Sequence, residues 1–203
     1  MDIDLNACDV KIINLDSRPD RWEQVKVEVG KIGVANYTRF SGITKGGVWR
    51  GSVLSHWTCV TEGSGMILIL EDDVVFTDGV SDVLPRALSQ LPDDFDMFYI
   101  GANVKLPAER YSDNLFRVVR GVHTNHAILF SDNARRVIKD NYNPYTCKEG
   151  WFDNWLYQVG LSMMKCFVCS PMVAFQRSGF SDVRQEQMDY YDEMRTNELK
   201  HMI

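Results

Sequence analysis

Residues 66–70 read Met-Ile-Leu-Ile-Leu, and Glu71, Asp72 and Asp73 follow without a break. Five consecutive apolar residues are too short for a helix with a core-facing stripe. They suit a strand buried on both faces. Such a strand needs helices above and below it, which implies a parallel sheet in an α/β fold. The three acids stand where that strand would end, and in open α/β sheets ligands bind outside the carboxyl ends of the strands. Three adjacent carboxylates repel one another, and a cation would offset that repulsion. Hard oxygen donors favour magnesium, manganese or calcium over zinc. If the backbone stays extended, Glu71 and Asp73 share a face and Asp72 points the other way. Two carboxylates on one face suit a divalent ion plus a diphosphate. A solvated acidic turn is the competing reading.

The chain on either side alternates between strand and helix signals. Residues 10–15 form a β-branched run. Asp16 or Ser17 is then expected to cap a helix, with Pro19 in its first turn. Trp22, Val25, Val29 and Ile32 recur at helical spacing, and Gly30 and Gly33 close that helix. A second strand is expected at 37–40, a loop at 42–47, and a second helix marked by Val53, Leu54, Trp57 and Val60. After the buried strand come a third helix (Val83, Leu84, Ala87, Leu88, Leu91) and a strand at 97–100. Residues 104–114 read as irregular, 116–119 and 127–130 as strands, and 133–140 as a helix. A loop from Asn143 to near Gly150 precedes a helix at 151–159, strands at 164–168 and 173–176, and a polar helical stretch at 185–201. The order predicts one α/β domain over residues 1–203, with a parallel N-terminal half. That length suffices for one well-buried core.

Charge and cysteine content exclude several classes. The net charge of -6 and pI near 5.2 lack the basic footprint of a nucleic-acid binder. No apolar run approaches the ~20 residues of a membrane span. The first nine residues carry acids and no basic segment, so they do not read as a signal peptide, and a cytoplasmic or cytosol-facing location is expected. Five cysteines, an odd number without a leader, read as free thiols. Cys166 and Cys169 lie in a strand, where positions i and i+3 face opposite ways, which argues against a shared metal or disulfide.

Four further groups carry chemistry. Arg18 and Arg21 stand at a strand-to-helix junction, where a cation opposes the helix dipole unless a phosphate is held there. Alternatively Arg21 pairs with Asp16 or Asp20. His56 sits on a partly apolar helix, in a structural or a functional role. Asp153 lies among Trp151, Phe152 and Trp155, surroundings that suit a general base, although a helix N-cap is a rival reading. Phe180, Ser181 and Asp182 form a polar knot that could reach the same pocket.

Together these residues resemble one family. Ile13-Asn14-Leu15 followed by Arg18 and Arg21 resembles the I-N-L-x-x-R-x-x-R opening of glycosyltransferase family 25, the lipopolysaccharide and collagen sugar-transferase group. Ser55-His56 resembles its S-H pair, and Leu70-Glu71-Asp72-Asp73-Val74 its L-E-D-D-V segment, that family's form of the D-x-D motif. Asp153 with Trp155-Leu156 is similar to its later D-x-x-L acid, and Ser181-Asp182-Val183 to its S-D-I tail. The order agrees from about Val10 to Arg184. The usual Gly-Cys before the S-H pair appears here as Gly51-Ser52, and the loop before it is short.

The resemblance implies a GT-A fold with a mostly parallel central sheet, a UDP-sugar donor, and Mn2+ or Mg2+. Glu71 and Asp73 would meet the metal, with Asn14, Leu15, Arg18, Arg21, His56 and Asp72 around the donor. Asp153 would deprotonate a hydroxyl of a glycan or glycoprotein acceptor. Two alternatives stay open: another metal-dependent nucleotide enzyme (a nucleotidyltransferase or phosphohydrolase), and a non-catalytic sugar-nucleotide-binding module.

Overall fold

The computed structural model describes residues 3–148, 151–182 and 185–202. The expected loop end at Gly150, and Val183 and Arg184 of the family-like tail, lie outside the described residues. The chain runs through β1 (Asp9–Asn14), α1 (Pro19–Lys31), β2 (Thr38–Ser41), α2 (Val48–Thr61), β3 (Ile67–Glu71), β4 (Val74–Phe76), α3 (Val80–Gln90) and β5 (Met97–Tyr99). It continues with β6 (Asn103–Val104), β7 (Glu109–Arg110), β8 (Leu115–Val118), β9 (Val122–His123), β10 (Ala127–Phe130) and α4 (Asp132–Asn141). It closes with α5 (Phe152–Gln158), β11 (Cys166–Cys169), β12 (Ala174–Gln176), β13 (Gly179–Ser181), β14 (Glu186–Met188) and α6 (Tyr191–His201).

The apolar run forms β3, inside an eight-stranded sheet of order β2-β1-β3-β10-β5-β11-β8-β7. Strands β10 and β8 pair antiparallel with their neighbours, so six of the eight strands point one way. Side chains alternate across the sheet as a period of two requires. Ile67, Ile69, Met97, Tyr99, Ile128 and Phe130 enter the layer that packs against α2, α4, α5 and α6. Leu68, Leu70, Phe98, Leu129 and Phe167 enter the layer covered by α1 and α3. Ile67 through Leu70 are fully buried, as a strand between two helical layers must be. Cys166 and Cys169 fall in opposite layers as free, buried thiols.

Several expectations need correction. The parallel half comprises β2, β1 and β3, but β10 is inserted antiparallel between β3 and β5. Hydrophobic pattern marks a strand as buried without specifying its neighbour. The N-cap of α1 is Arg18, without a side-chain cap bond. Asp16 instead accepts from Ser41 Oγ (2.6 Å) and pairs with Arg39 (2.9 Å), fixing the edge strand β2. The stretch 185–201 divides into β14 and α6. Strands β4, β6, β7 and β9, of two or three residues each, carry too few positions for a period to register. Among the described residues no helix is long and apolar enough to cross a membrane.

Candidate active site

Strands β1 and β3 lie side by side and end together, with Ile13 opposite Glu71. The chain leaves β1 towards β2 on one side and leaves β3 towards β5 on the other, which opens a crevice at their carboxyl ends. Just past β3 the backbone is tied on two sides. Glu71 N–H donates to His126 O (2.9 Å) and Asp72 N–H to Ile13 O (3.1 Å). Arg177 N–H, following β12, donates to Asp73 O (2.7 Å). A cavity of about 480 Å³ opens above this junction.

The three acids are used differently. Asp72 turns towards β1 and α1, where its Oδ2 accepts from Asn14 Nδ2 (2.7 Å) and its Oδ1 from Arg21 Nη1 (3.2 Å). Asn14 is buried beneath it and also donates to Arg18 O (3.0 Å), while its Oδ1 accepts from Arg39 Nε (2.8 Å). Burial raises the Asp72 carboxyl, against the opposing pull of Asn14 and Arg21. Glu71 turns towards α2, with its Oε1 3.1 Å from His56 Nε2 and its Oε2 3.3 Å from Gln176 Nε2. Burial works to raise Glu71, but His56 outweighs it and holds the carboxyl below its usual range. His56 in turn is raised, because Glu71 outweighs its own burial, and its Nδ1 lies 3.0 Å from Ser52 O. Asp73 is pushed up to about 8 by burial, then by the charges of Glu71 and Asp72, with Arg21 opposing from 3.9 Å.

Glu71 and Asp73 are the residues here that could hold a cation. Asp73 Oδ1 and Gln176 Oε1, both buried in residues that line the cavity, have no hydrogen-bond partner among the described residues. Unsatisfied buried acceptors are costly, and a positive group beside Glu71 could satisfy both, although Arg177 Nε and His56 Nε2 at the same cavity are also without a hydrogen-bond partner among the described residues. No three His, Cys, Asp or Glu side chains among the described residues converge to chelate an ion unaided. Magnesium-like sites commonly use one or two carboxylates and complete their shell with substrate phosphate and water.

The opposite wall comes from α2, α5 and β9. Asp153 is the second residue of α5, whose N-cap is Trp151, so the capping role does not apply. Its Oδ2 lies 3.7 Å from His123 Nδ1, and the His123 ring stacks on Tyr157 at 4.3 Å. Helix α2 is seated by Gly51, where a Cβ would stand 1.8 Å from Ile43 O. Ser55 Oγ bridges the same contact, accepting from Ile43 N–H and donating to Gly51 O (2.8 Å each).

Of the residues expected from sequence, Leu15, Arg21, His56, Glu71, Asp72, Asp73 and Asp153 line this cavity. Asn14 lies beneath it. Arg18 is engaged elsewhere: it pairs with Asp20 (2.9 Å) and with Asp182 (2.7 Å), while Arg21 Nη2 donates to Phe180 O (2.6 Å). The two arginines thus bind the strand β13 and its following turn to the start of α1. The alternative pairing of Arg21 with Asp16 or Asp20 is not formed; its carboxylate partners are Asp72 and, at 3.9 Å, Asp73. Sequence reading overlooked Gln176, Arg177, Trp49 and His123. Gln176 and Arg177 carried a signal, two polar residues at the end of an apolar strand. His123 carried none, since β9 has two residues.

Among solved structures the chain is similar to a glycosyltransferase involved in the glycosylation of the major capsid of PBCV-1. The identity is 10%, over 94% of this chain and 99% of that one, with a TM-score of 0.51. It is also similar to A197 from STIV (10% identity, 89% and 93% covered, TM-score 0.49). A third is a putative glucose-1-phosphate thymidylyltransferase from Bacillus anthracis (12%, 98% and 78%, TM-score 0.44). No family model and no curated protein matches the chain. At 10% identity the first likeness is one of fold, a GT-A-type α/β fold built on a large, mostly parallel sheet.

Proposed function

We propose that this chain is a metal-dependent glycosyltransferase that moves a sugar from a UDP-sugar to a hydroxyl of a glycan or glycoprotein. The observation that carries the reading is Asp73: a half-buried carboxylate pushed up to about 8, with one buried oxygen unpartnered among the described residues, beside Glu71 at the mouth of a strand junction. The GT-A-type fold, and the glycosyltransferase among the structures it resembles, support the same reading.

Glu71 and Asp73 would hold Mn2+ or Mg2+, and such an ion, when bound, supplies Lewis-acid neutralisation of a diphosphate leaving group. Asp72 stays outside this pair, because Asn14 and Arg21 occupy both its oxygens. Its role is to hold Arg21 at the cavity wall, where the guanidinium can meet phosphate oxygens. His56 keeps Glu71 ionised and oriented. Asp153, across the cavity, accepts the proton of the acceptor hydroxyl if the reaction inverts the anomeric centre, and orients that hydroxyl if it retains.

The test is calorimetric titration of UDP with Mn2+, then with EDTA, in the native protein and in Asp73→Asn. The expected outcome is binding that needs Mn2+ and is lost in the variant. UDP binding that is indifferent to both would overturn the metal site. Turnover that releases pyrophosphate rather than UDP would identify a nucleotidyltransferase instead.

A further inference from the structure

The cavity has an aromatic rim at the wall formed by α2 and α5, away from Glu71 and Asp73. Trp49, in the first turn of α2, and Trp151, the N-cap of α5, meet with ring centroids 3.8 Å apart and planes tilted by 40°. Both line the cavity and both keep 38% of their surface exposed. One residue along α2, Arg50 lies over the ring of exposed Tyr145 at 5.3 Å, outside the cavity lining. Asp153 follows Trp151 by two residues, with His123 beside it at 3.7 Å. Exposed indoles forgo the burial energy that a core position would return, and a paired exposed aromatic surface on a cavity wall is suited to binding.

The chemistry of that rim selects its ligand. A pyranose ring has one face of C–H bonds and an edge of hydroxyls. It therefore needs an aromatic plane beside hydrogen-bonding groups, as cavities that bind small polar molecules provide. Trp49 and Trp151 supply the plane, and Asp153, His123 and Asn154 supply the polar edge. The Asp153 carboxylate disfavours a phosphate here. On the other wall, Arg21 and Arg177 carry positive charge beside Asp72 and Asp73, while Lys105, which also lines the cavity, is paired with Glu193. A neutral saccharide is the class that suits this side.

We propose that Trp49 and Trp151 form a platform for a neutral pyranoside acceptor and present one of its hydroxyls to Asp153. The direction of transfer rests on the glycosyltransferase reading; saccharide binding itself does not.

The test titrates methyl β-galactoside, methyl β-glucoside and lactose into the full chain, followed by tryptophan fluorescence and by saturation-transfer NMR from the indole protons. At least one probe should bind and receive saturation on its C–H face. Trp151→Leu keeps apolar volume but removes the indole plane, and should weaken binding about tenfold. Circular dichroism checks that the variant is folded, and Trp49→Leu carries the same expectation should Trp151→Leu unfold. The platform is overturned if no probe binds the native chain at up to about 50 mM, a limit below 2 kcal/mol of binding energy. It is equally overturned if a folded variant binds as the native chain does. UDP titration of the native protein judges the donor reading separately. Trp151-dependent saccharide binding without UDP binding keeps the platform and sinks the glycosyltransferase; UDP binding without saccharide binding does the reverse.

Discussion

Asp73 shows how much a single side chain can set against the stability of a fold. Its carboxyl, pushed up to about 8 by burial and by Glu71 and Asp72, is well above the ~3.9 of an unfolded chain. Between those two values the folded state holds a proton that the unfolded state has lost. Stability therefore falls as pH rises from about 4 to about 8, and above that the penalty is present in full. In EDTA, Asp73→Asn should melt several degrees above the native protein at pH 8, with the difference shrinking towards pH 5. Thermal melts across that range are the measurement; a variant less stable at pH 8 would show that the carboxylate is not penalised. Asn14 works in the opposite direction. It makes three hydrogen bonds under the site and holds Asp72 and Arg39 in register. The identity of Asp73 was legible in sequence as part of an acid triplet after a buried run. Its unpartnered oxygen was not, because that depends on what Gln176 and Arg21 leave free.

Among elements, α2 has the most to position. It brings His56 to Glu71 and Trp49 to the rim, and it is seated through Gly51 against the loop at Ile43. A methyl group at Gly51 would overlap a carbonyl oxygen, so backbone rather than a flexible side chain has to move. Gly51→Ala should destabilise the protein by about 1–3 kcal/mol in urea unfolding and weaken UDP binding at a cavity it does not line. An effect under about 0.5 kcal/mol, the usual range for surface changes, would refute that seating. The helix itself could be read from Val53, Leu54, Trp57 and Val60. That its N-terminus is fitted to a carbonyl twelve residues from Ser55 is a matter of three-dimensional contact.

Across the whole molecule, two helical layers close over one sheet and take the thiols with them. Cys59, Cys166 and Cys169 are buried, and burial pushes Cys59 and Cys169 up to about 12. At pH 8 these thiols stay protonated and shielded, and the thiolate is the reactive form. A thiol reagent should therefore label at most Cys8 and Cys147 quickly in the native protein, and all five after denaturation. Rapid labelling of more than two would mean that the layers open readily. The same enclosure explains why the Cys166-x-x-Cys169 spacing has no shared chemistry: the sheet stands between the two sulfurs.

The sequence by itself determined the fold class and the chemical character of the site. An unbroken apolar pentapeptide can be satisfied only between two covering layers, and the acids that end it fall at a strand terminus whatever the neighbouring strands are. It also singled out Leu15, Arg21, His56, Glu71, Asp72, Asp73 and Asp153, which line one cavity. Tertiary structure alone decided which partners their polar atoms take. It turned Asp72 to Asn14 and Arg21, drew Arg18 to Asp182, inserted β10 between β3 and β5, and set His123 beside Asp153. Burial patterns follow local periodicity, which a sequence displays directly. Partner choice among polar groups is settled by distances between residues 51 to 164 positions apart, and those exist only once the sheet has closed.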